Sequence, residues 1–282
     1  MSAAVLAEVI CIVLISVIKM KTRFVFIIYV LLLGIAPLAG QSPFQLDPVR
    51  ESILLGTGLT TYSAGWIYQS RITGLSVHQV MRLEDELMDL DKWAIEQNSA
   101  AARLGSDIGL GLGHLTPLVL YLSPDTKGDR GIITIMYLET MSLTLALTGW
   151  TKRLVLRPRP FTYNTEVAIS KKLSKDARYS FFSGHTSMSA AACFFTASVW
   201  SRYHPDSKWK PAVWTLAASI PAMTGYFRVK SGKHFPTDVI IGYAVGAGMG
   251  LLIPLIHRTD KKKSNDMRIS FGMNSIHCSW KL

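Results

Sequence analysis

The sequence predicts an all-α, polytopic membrane protein, a bundle of five to six transmembrane helices. Three observations lead to this fold class. Hydrophobic residues make up 49% of the 282-residue chain and mean hydropathy is +0.26, high for a soluble enzyme. These residues gather into runs of roughly twenty, the length that spans a hydrocarbon core. The basic excess, 30 Lys and Arg against 19 Asp and Glu, clusters at the ends of those runs, where anionic lipid head groups are the natural partner. In a soluble chain that charge would suggest nucleic acid. No RNA-binding signature or aromatic-studded basic stripe accompanies it, so no nucleic-acid partner is expected.

Residues 1–40 form a hydrophobic leader. Residues 3–18 are apolar, Lys19 to Arg23 interrupt, and Phe24 to Ala39 are apolar again. From Met20 onward this is a basic n-region, an apolar h-region and a small-residue exit at Leu38-Ala39-Gly40, the pattern of a signal peptide. A two-helix hairpin is the competing reading, and it would set the basic connector on the far side, against the positive-inside rule.

Residues 41–104 form a second segment. Ile53 to Tyr68 is its apolar stretch, diluted by Gly56, Thr57, Gly58, Thr60, Thr61 and Ser63, and is expected to lie at the surface or re-enter rather than cross. Leu83, Leu87, Leu90 and Ala94 repeat at helical spacing opposite Glu84, Asp85, Glu86, Asp89 and Asp91. That predicts an amphipathic surface helix with Trp93 as interfacial anchor. A solvated connecting helix fits the same pattern.

Residues 105–257 are the helical core, with spans at 108–122, 131–150, 186–201, 212–227 and 239–256. Gly242, Gly246 and Gly250, spaced by four, give the last span a face suited to close packing in lipid. The polar loop 161–180 carries Lys171, Lys172, Lys175 and Arg178. Residues 258–282 are a basic tail whose Lys261-Lys262-Lys263 reads as a cytoplasmic anchor, and 269–282 alternate weakly like a strand. Cys11, Cys193 and Cys278 have neither zinc spacing nor the look of a disulfide framework.

Three polar stretches fall at one face of this bundle: Lys152 to Pro160, Ser183-Gly184-His185, and Arg228 to Asp238. The tail and Arg202, Lys208 and Lys210 fall at the other, which makes that face cytoplasmic and the special face extracytoplasmic. Lys152, Arg159 and Arg228 are permanent cations, and Ser183-Gly184-His185 opens a helix whose free N–H groups favour an anion. Together they suit a tetrahedral dianion and its transition state. His234 is followed by Asp238 at i+4, so the carboxylate can hold one imidazole N–H and aim the other nitrogen as a nucleophile; His185 can protonate a leaving alkoxide. No carboxylate cluster suggests a metal site. His114 and Glu139 are ionisable groups inside spans, and Glu139, about 20 Å below Lys152, is too deep for the phosphate and reads as an interhelical hydrogen-bonding group.

The succession Lys-x6-Arg-Pro, Ser-Gly-His, Arg-x5-His-x3-Asp closely resembles the type 2 phosphatidic acid phosphatase (PAP2) superfamily, which includes the vanadium haloperoxidases. The resemblance covers roughly residues 105–257. It implies the helical bundle of that family and a lipid phosphatase without metal or other cofactor. By it, Lys152, Arg159 and Arg228 bind phosphate, with Ser183 and Gly184 adding hydrogen bonds. His234 forms a phosphohistidine, Asp238 orients it, and His185 is the general acid. Phe182 stands where the family usually has proline, and Phe227 where it often has serine. The implied substrate is a phosphomonoester or pyrophosphate of a lipid in a bacterial inner membrane, reached from the periplasm: lipid A, undecaprenyl pyrophosphate, phosphatidylglycerol phosphate or phosphatidic acid. The basic loop 161–180 would suit a large acidic lipid such as lipid A. A vanadate-dependent haloperoxidase and a non-catalytic lipid-phosphate binder are the alternatives. The first has soluble relatives, and the second has no need of an oriented nucleophile.

Overall fold

A computed structural model describes residues 42–83, 87–259, 268–272 and 275–279. The leader, and with it the signal-peptide reading, lies outside the described residues. So does the lysine run of the tail.

Six long helices carry the described fold: α1 (Pro48–Tyr68), α2 (Ala100–Leu115), α3 (Arg130–Val155), α4 (Gly184–Tyr203), α5 (Lys210–Lys230) and α6 (Pro236–Ile256). Their starts are chemically set. Asp47, Ser99 and Ser183 are N-caps whose side chains accept from Arg50 N, Ala102 N and Thr186 N, and Pro48, Pro211 and Pro236 occupy first-turn positions where no amide donor is needed. α2 starts at Ala100, earlier than the span expected at 108–122. Its continuation breaks near Pro117 into the single turn Leu118–Leu122, because proline removes a helical hydrogen bond.

α4 is the axis of the bundle. Its small residues, including Ala190, Ala191, Ala192 and Ala197, are buried, so neighbouring helices approach its backbone. Gly242, Gly246 and Gly250 of α6 face Ser183, Ser187 and Ala191 in turn; a Cβ on Gly246 would lie 2.0 Å from the Ser187 carbonyl oxygen. The glycine face predicted from spacing is thus the α4–α6 seam. Gly246→Ala is expected to destabilise the fold by about 3 kcal/mol, because the atom it meets is backbone and cannot swing away. Gly248→Ala, with open space at its Cβ, is the control in thermal unfolding.

Residue pairs fix the direction of every long helix. Asp107 with His185 and Thr116 with Thr196 run α2 parallel to α4. Thr148 with Ser187 and Tyr137 with Phe195 run α3 against it. Gly225 with Thr186 and Trp214 with Ser201 do the same for α5. α1 lies beside α3 and parallel to it, with Gly58 against Ser142, the Trp150 indole donating to the Thr61 carbonyl at 2.6 Å, and Arg153 donating to Gln69 at 2.8 Å. Direction therefore alternates from α1 to α6. Residues 53–68, expected to be a surface or re-entrant segment, are instead part of a 21-residue helix aligned with a core helix. Gly58 and Gly65 are contact points for α3, whereas Gly56 faces open space.

Among the described residues, two stretches, Pro124–Thr162 with α3 inside it and α6 itself, are long and apolar enough to cross a membrane. Small and hydroxyl-bearing residues dilute the other long helices. Large apolar side chains such as Leu104, Leu112, Leu216, Met223, Ile240 and Leu255 point outward. At the end remote from the polar stretches, Phe44, Leu120, Ile133, Met136, Phe195, Val199 and Ile253 form a compact apolar core. There the start of the described chain meets its end, Gln45 N donating to the His257 carbonyl at 2.9 Å and Thr259 N to the Pro43 carbonyl at 3.0 Å.

A further expectation changes. Among the described residues of Leu83 to Ala94, Leu83, Leu87 and Met88 are not helical, and Asp89–Lys92 makes an α-turn followed by a 3-10 turn at Trp93–Glu96. Asp91 does not face water, as its exposure is 0%, and the reason is an ionic partner described below. In the tail, where strand-like alternation was expected, Arg268–Gly272 and Ser275–Ser279 pair as an antiparallel hairpin, β1 and β2, with Ile269 opposite Cys278.

Candidate active site

The end of α3, the start of α4, the end of α5 and the start of α6 meet at one end of the bundle, covered by loop 156–182. All eight residues singled out for phosphate chemistry are there. α3 closes with Leu156 in the left-handed region at φ 51°, which turns the chain so that Arg157 and Arg159 point back over the helix end. Arg159 is 6% exposed and fully engaged. Its Nε donates to the Asp176 carbonyl at 2.8 Å, NH1 to the Lys233 carbonyl at 2.7 Å, and NH2 to Asp176 Oδ1 at 2.8 Å. Lys152 Nζ donates to the Tyr179 carbonyl at 2.8 Å. Arg228 is 5% exposed; its NH1 lies 3.3 Å from Ser106 Oγ, and its Nε has no hydrogen-bond partner.

His234 sits in this cationic wall, 1% exposed, with Nε2 3.1 Å from Arg159 NH1. A guanidinium can only donate, so Nε2 is the acceptor nitrogen and the ring proton lies on Nδ1. Burial, and then the charges of Lys152, Arg159 and Arg228, push the His234 pKa well down and hold the ring neutral. A neutral imidazole with a lone pair turned toward three cations is the state a nucleophile for phosphorus needs. Asp176 is the counter-ion at the rim. Burial alone would raise its pKa, but Arg159 and Lys233, both bonded to it, outweigh that and hold it at about 2.

Asp238 differs from the i+4 helical pairing expected. His234 precedes the helix, whose N-cap is Phe235, and the Asp238 carboxylate reaches back to accept from Phe235 N at 2.9 Å. Its Oδ2 lies 3.7 Å from His234 Nδ1, an ion-pair distance rather than a hydrogen bond. The carboxylate is drawn away by other donors: Ser180 Oγ bonds Oδ2, and Arg157 NH1 bonds Oδ1 at 2.6 Å. Ser183 is likewise committed to structure. Its Oγ caps α4 and meets Thr186 Oγ1 at 2.8 Å, and its N–H donates to the Asp238 carbonyl at 3.0 Å. The amides of the first α4 turn, Gly184 and His185, are the ones a helix start leaves for an anion. Gly184 faces Lys152, whose Cε would lie 3.7 Å from a Cβ there.

Sequence reasoning missed four residues. Asp107 of α2 pairs with His185 Nε2 at 2.9 Å, making a second His–Asp pair at the more open side of the site. Asp91 binds Arg157 NH2 at 2.7 Å and the Thr237 hydroxyl at 2.7 Å. Arg157 thus joins two carboxylates that are each 0% exposed, with its guanidinium 4.2 Å from the Phe235 ring centre. Asp176 is the fourth. Arg157 stood inside the Lys152–Pro160 stretch, and its alternation with Arg159 was the available signal. Asp91 and Asp107 are remote in sequence from every motif they serve. His114 takes no part, its Nδ1 bonding the Leu110 carbonyl of its own helix at 2.9 Å.

Compared with known protein families, residues 134–262 match the PAP2 superfamily. The matched stretch contains all eight residues singled out for phosphate chemistry and leaves Asp91 and Asp107 outside. Two solved structures are similar to this chain. LpxE of Aquifex aeolicus is 21% identical, with 61% of this chain and 98% of that chain covered at a TM-score of 0.43. A transmembrane PAP2-type phosphatidylglycerolphosphate phosphatase of Bacillus subtilis is 20% identical, with 73% and 98% covered at a TM-score of 0.45. A search of curated proteins finds no match.

Proposed function

We propose that this chain is a PAP2-type integral-membrane lipid phosphatase that works through a phosphohistidine without a catalytic metal. The observation that carries the reading is the buried His234, its Nε2 3.1 Å from Arg159 NH1 and within the field of Lys152 and Arg228, which holds the ring's pKa down. The phosphate dianion sits among those cations and the first amides of α4. Nε2 attacks phosphorus in line, the bond from phosphorus to the leaving oxygen breaks, and His185 gives that oxygen its proton. The Nδ1–H of His234 turns to Asp238, which stabilises the imidazolium side of the phosphohistidine. Water, deprotonated by the now neutral His185, then cleaves the phosphorus–nitrogen bond and releases phosphate. His185, with a 30% exposed side chain beside Asp107, marks the entrance, whereas His234 lies at the floor.

The substrate class is a phosphomonoester or pyrophosphate of a lipid, its acyl chains lying against the outward apolar helix faces while the head group enters at the polar end. Lipid A, undecaprenyl pyrophosphate, phosphatidylglycerol phosphate and phosphatidic acid are the substrates to compare. The basic loop 161–180 favours lipid A. Phosphate release from that panel in detergent, in EDTA and below the melting transition, tests the reading. Release in EDTA supports it, and the fastest lipid names the substrate. No release from any lipid by folded protein, or loss of release in EDTA with the fold intact, overturns it.

All six long helices cross the bilayer in this proposal, and the active site lies on the periplasmic side of a bacterial inner membrane. The tail leaves from the opposite end, where Arg202, Lys208 and Lys210 also lie. α1 begins at that same end, so residue 42 enters from the cytoplasm. A signal peptide cleaved at 38–40 would deliver residue 41 to the periplasm, so cleavage and a periplasmic site exclude one another in a six-crossing bundle. A cysteine at Lys171 is expected to react with an impermeant thiol reagent from the periplasm; reaction only after the inner membrane is opened reverses the orientation.

A further inference from the structure

One buried polar cluster lies far from the phosphate pocket and takes no part in its chemistry. Glu51 of α1, Glu139 of α3 and His257, directly after α6, each bring one donor atom to a common point, all within 4.8 Å of one another. Glu139 and His257 are 0% exposed and Glu51 is 7% exposed. His257 Nε2 stands 3.1 Å from Glu139 Oε2 and 3.4 Å from Glu51 Oε1. Yet Nε2 has hydrogen-bond geometry to neither, and both Glu139 oxygens are buried without a hydrogen-bond partner. A carboxylate is costly to bury in that condition unless a cation accompanies it.

The spacing is that of metal ligands. Bonds of about 2.1 Å to a tetrahedral ion put neighbouring donors about 3.4 Å apart. The tautomer agrees: His257 Nδ1 lies 2.8 Å from the Ile253 carbonyl, which can only accept, so Nδ1 carries a proton and the Nε2 lone pair is free to turn to the carboxylates. An imidazole N–H held by a backbone carbonyl is the usual support of a ligating histidine. Glu51 is supported as well, accepting from Asp47 N at 2.7 Å and from Arg50 Nε and NH2 at 3.0 and 2.8 Å. Arg50 offsets the Glu51 charge and leaves Glu139 as the carboxylate in need of a cation.

We propose that Glu51, Glu139 and His257 bind one divalent ion of the zinc class. The ion joins α1, α3 and α6 at the end of the bundle where the described chain begins and ends. Its role is structural, about 20 Å from Lys152 along α3, and no phosphate step passes through it. The alternative occupant is a proton on Nε2, which would make His257 an imidazolium between two carboxylates.

The test starts from protein purified in detergent without chelator, followed by EDTA treatment and return of Zn²⁺. About one equivalent of metal per chain is expected, with melting lowered by about 5 °C in EDTA and restored by zinc. Glu139→Gln and His257→Gln are expected to hold no metal and to melt at the same temperature with or without zinc. His257→Cys, which keeps a zinc ligand, is expected to retain the zinc response. Wild type that carries no metal and melts unchanged with zinc overturns the proposal. Equal metal in wild type and Glu139→Gln also overturns it, because the ion is then elsewhere. Phosphate release read below the melting transition reports only on the phosphatase reading, so the two proposals fail separately.

Discussion

On the proposed mechanism, His234→Ala is expected to lower phosphate release by about 10⁴-fold or more while the protein stays folded and still binds lipid phosphate. The nucleophilic nitrogen is lost, but Lys152, Arg159 and Arg228 remain to hold the anion. His185→Ala is expected to cost less, about 10²- to 10⁴-fold, the usual contribution of a general acid, with the smaller loss on substrates whose leaving group needs no proton. Brief reaction with phosphorus-labelled lipid, quenched at alkaline pH where phosphohistidine survives, should leave label on wild type and none on His234→Ala. Release by His234→Ala at a rate near wild type would remove the covalent step and leave direct attack by water.

Arg157→Ala is the variant expected to damage the fold most. Arg157 bonds Asp238 at 2.6 Å and Asp91 at 2.7 Å, and both carboxylates are fully buried. Without it, two buried charges lose their counter-ion, and removing one partner from such a network costs about 3–5 kcal/mol. The start of α6 and the segment holding Asp91 would separate, and Asp238 would no longer be fixed beside His234. Arg157→Lys should recover only part of the loss, because one ammonium on a flexible stem cannot fork between two carboxylates. Thermal unfolding and phosphate release measured on both variants check this. A change of melting temperature within a degree for Arg157→Ala would show that Arg157 is merely a surface anchor.

The cationic pocket was legible because its residues lie in three short blocks and each block ends or begins a long apolar run. Chain direction alone then brings Lys152, Gly184, His185, Arg228 and His234 to one end. Glycines 242, 246 and 250 were legible for a similar reason: a four-residue period on a helix makes one face, and Gly246 meets the Ser187 backbone. Residues 53–68 misled because Gly56, Thr57, Gly58, Thr60, Thr61 and Ser63 dilute the apolar stretch. Gly65 is a further small residue of the same helix. In the fold Gly58 and Gly65 are approach points for Ser142, Trp150 and Arg153, and contact with α3 supplies what intrinsic propensity lacks. Asp91 misled in the same way. An acidic residue in a charged stretch reads as solvent-facing, and only Arg157, distant in sequence, makes its burial tolerable.

The sequence by itself determined most of the long core helices and the residue types gathered at the candidate site, since periodicity and motif spacing act within a few turns of chain. Tertiary structure alone decided how those residues are used. It turns Ser183 into a helix cap, draws Asp238 toward Arg157 and Ser180, pairs His185 with Asp107, and closes Glu51, Glu139 and His257 into one buried cluster. Apart from the Ser183 cap, which is made within its own helix, each of these depends on a polar group meeting a partner from a distant part of the chain. A buried donor or acceptor must be satisfied by whatever the packing brings near, and no local pattern in the chain records which group that will be.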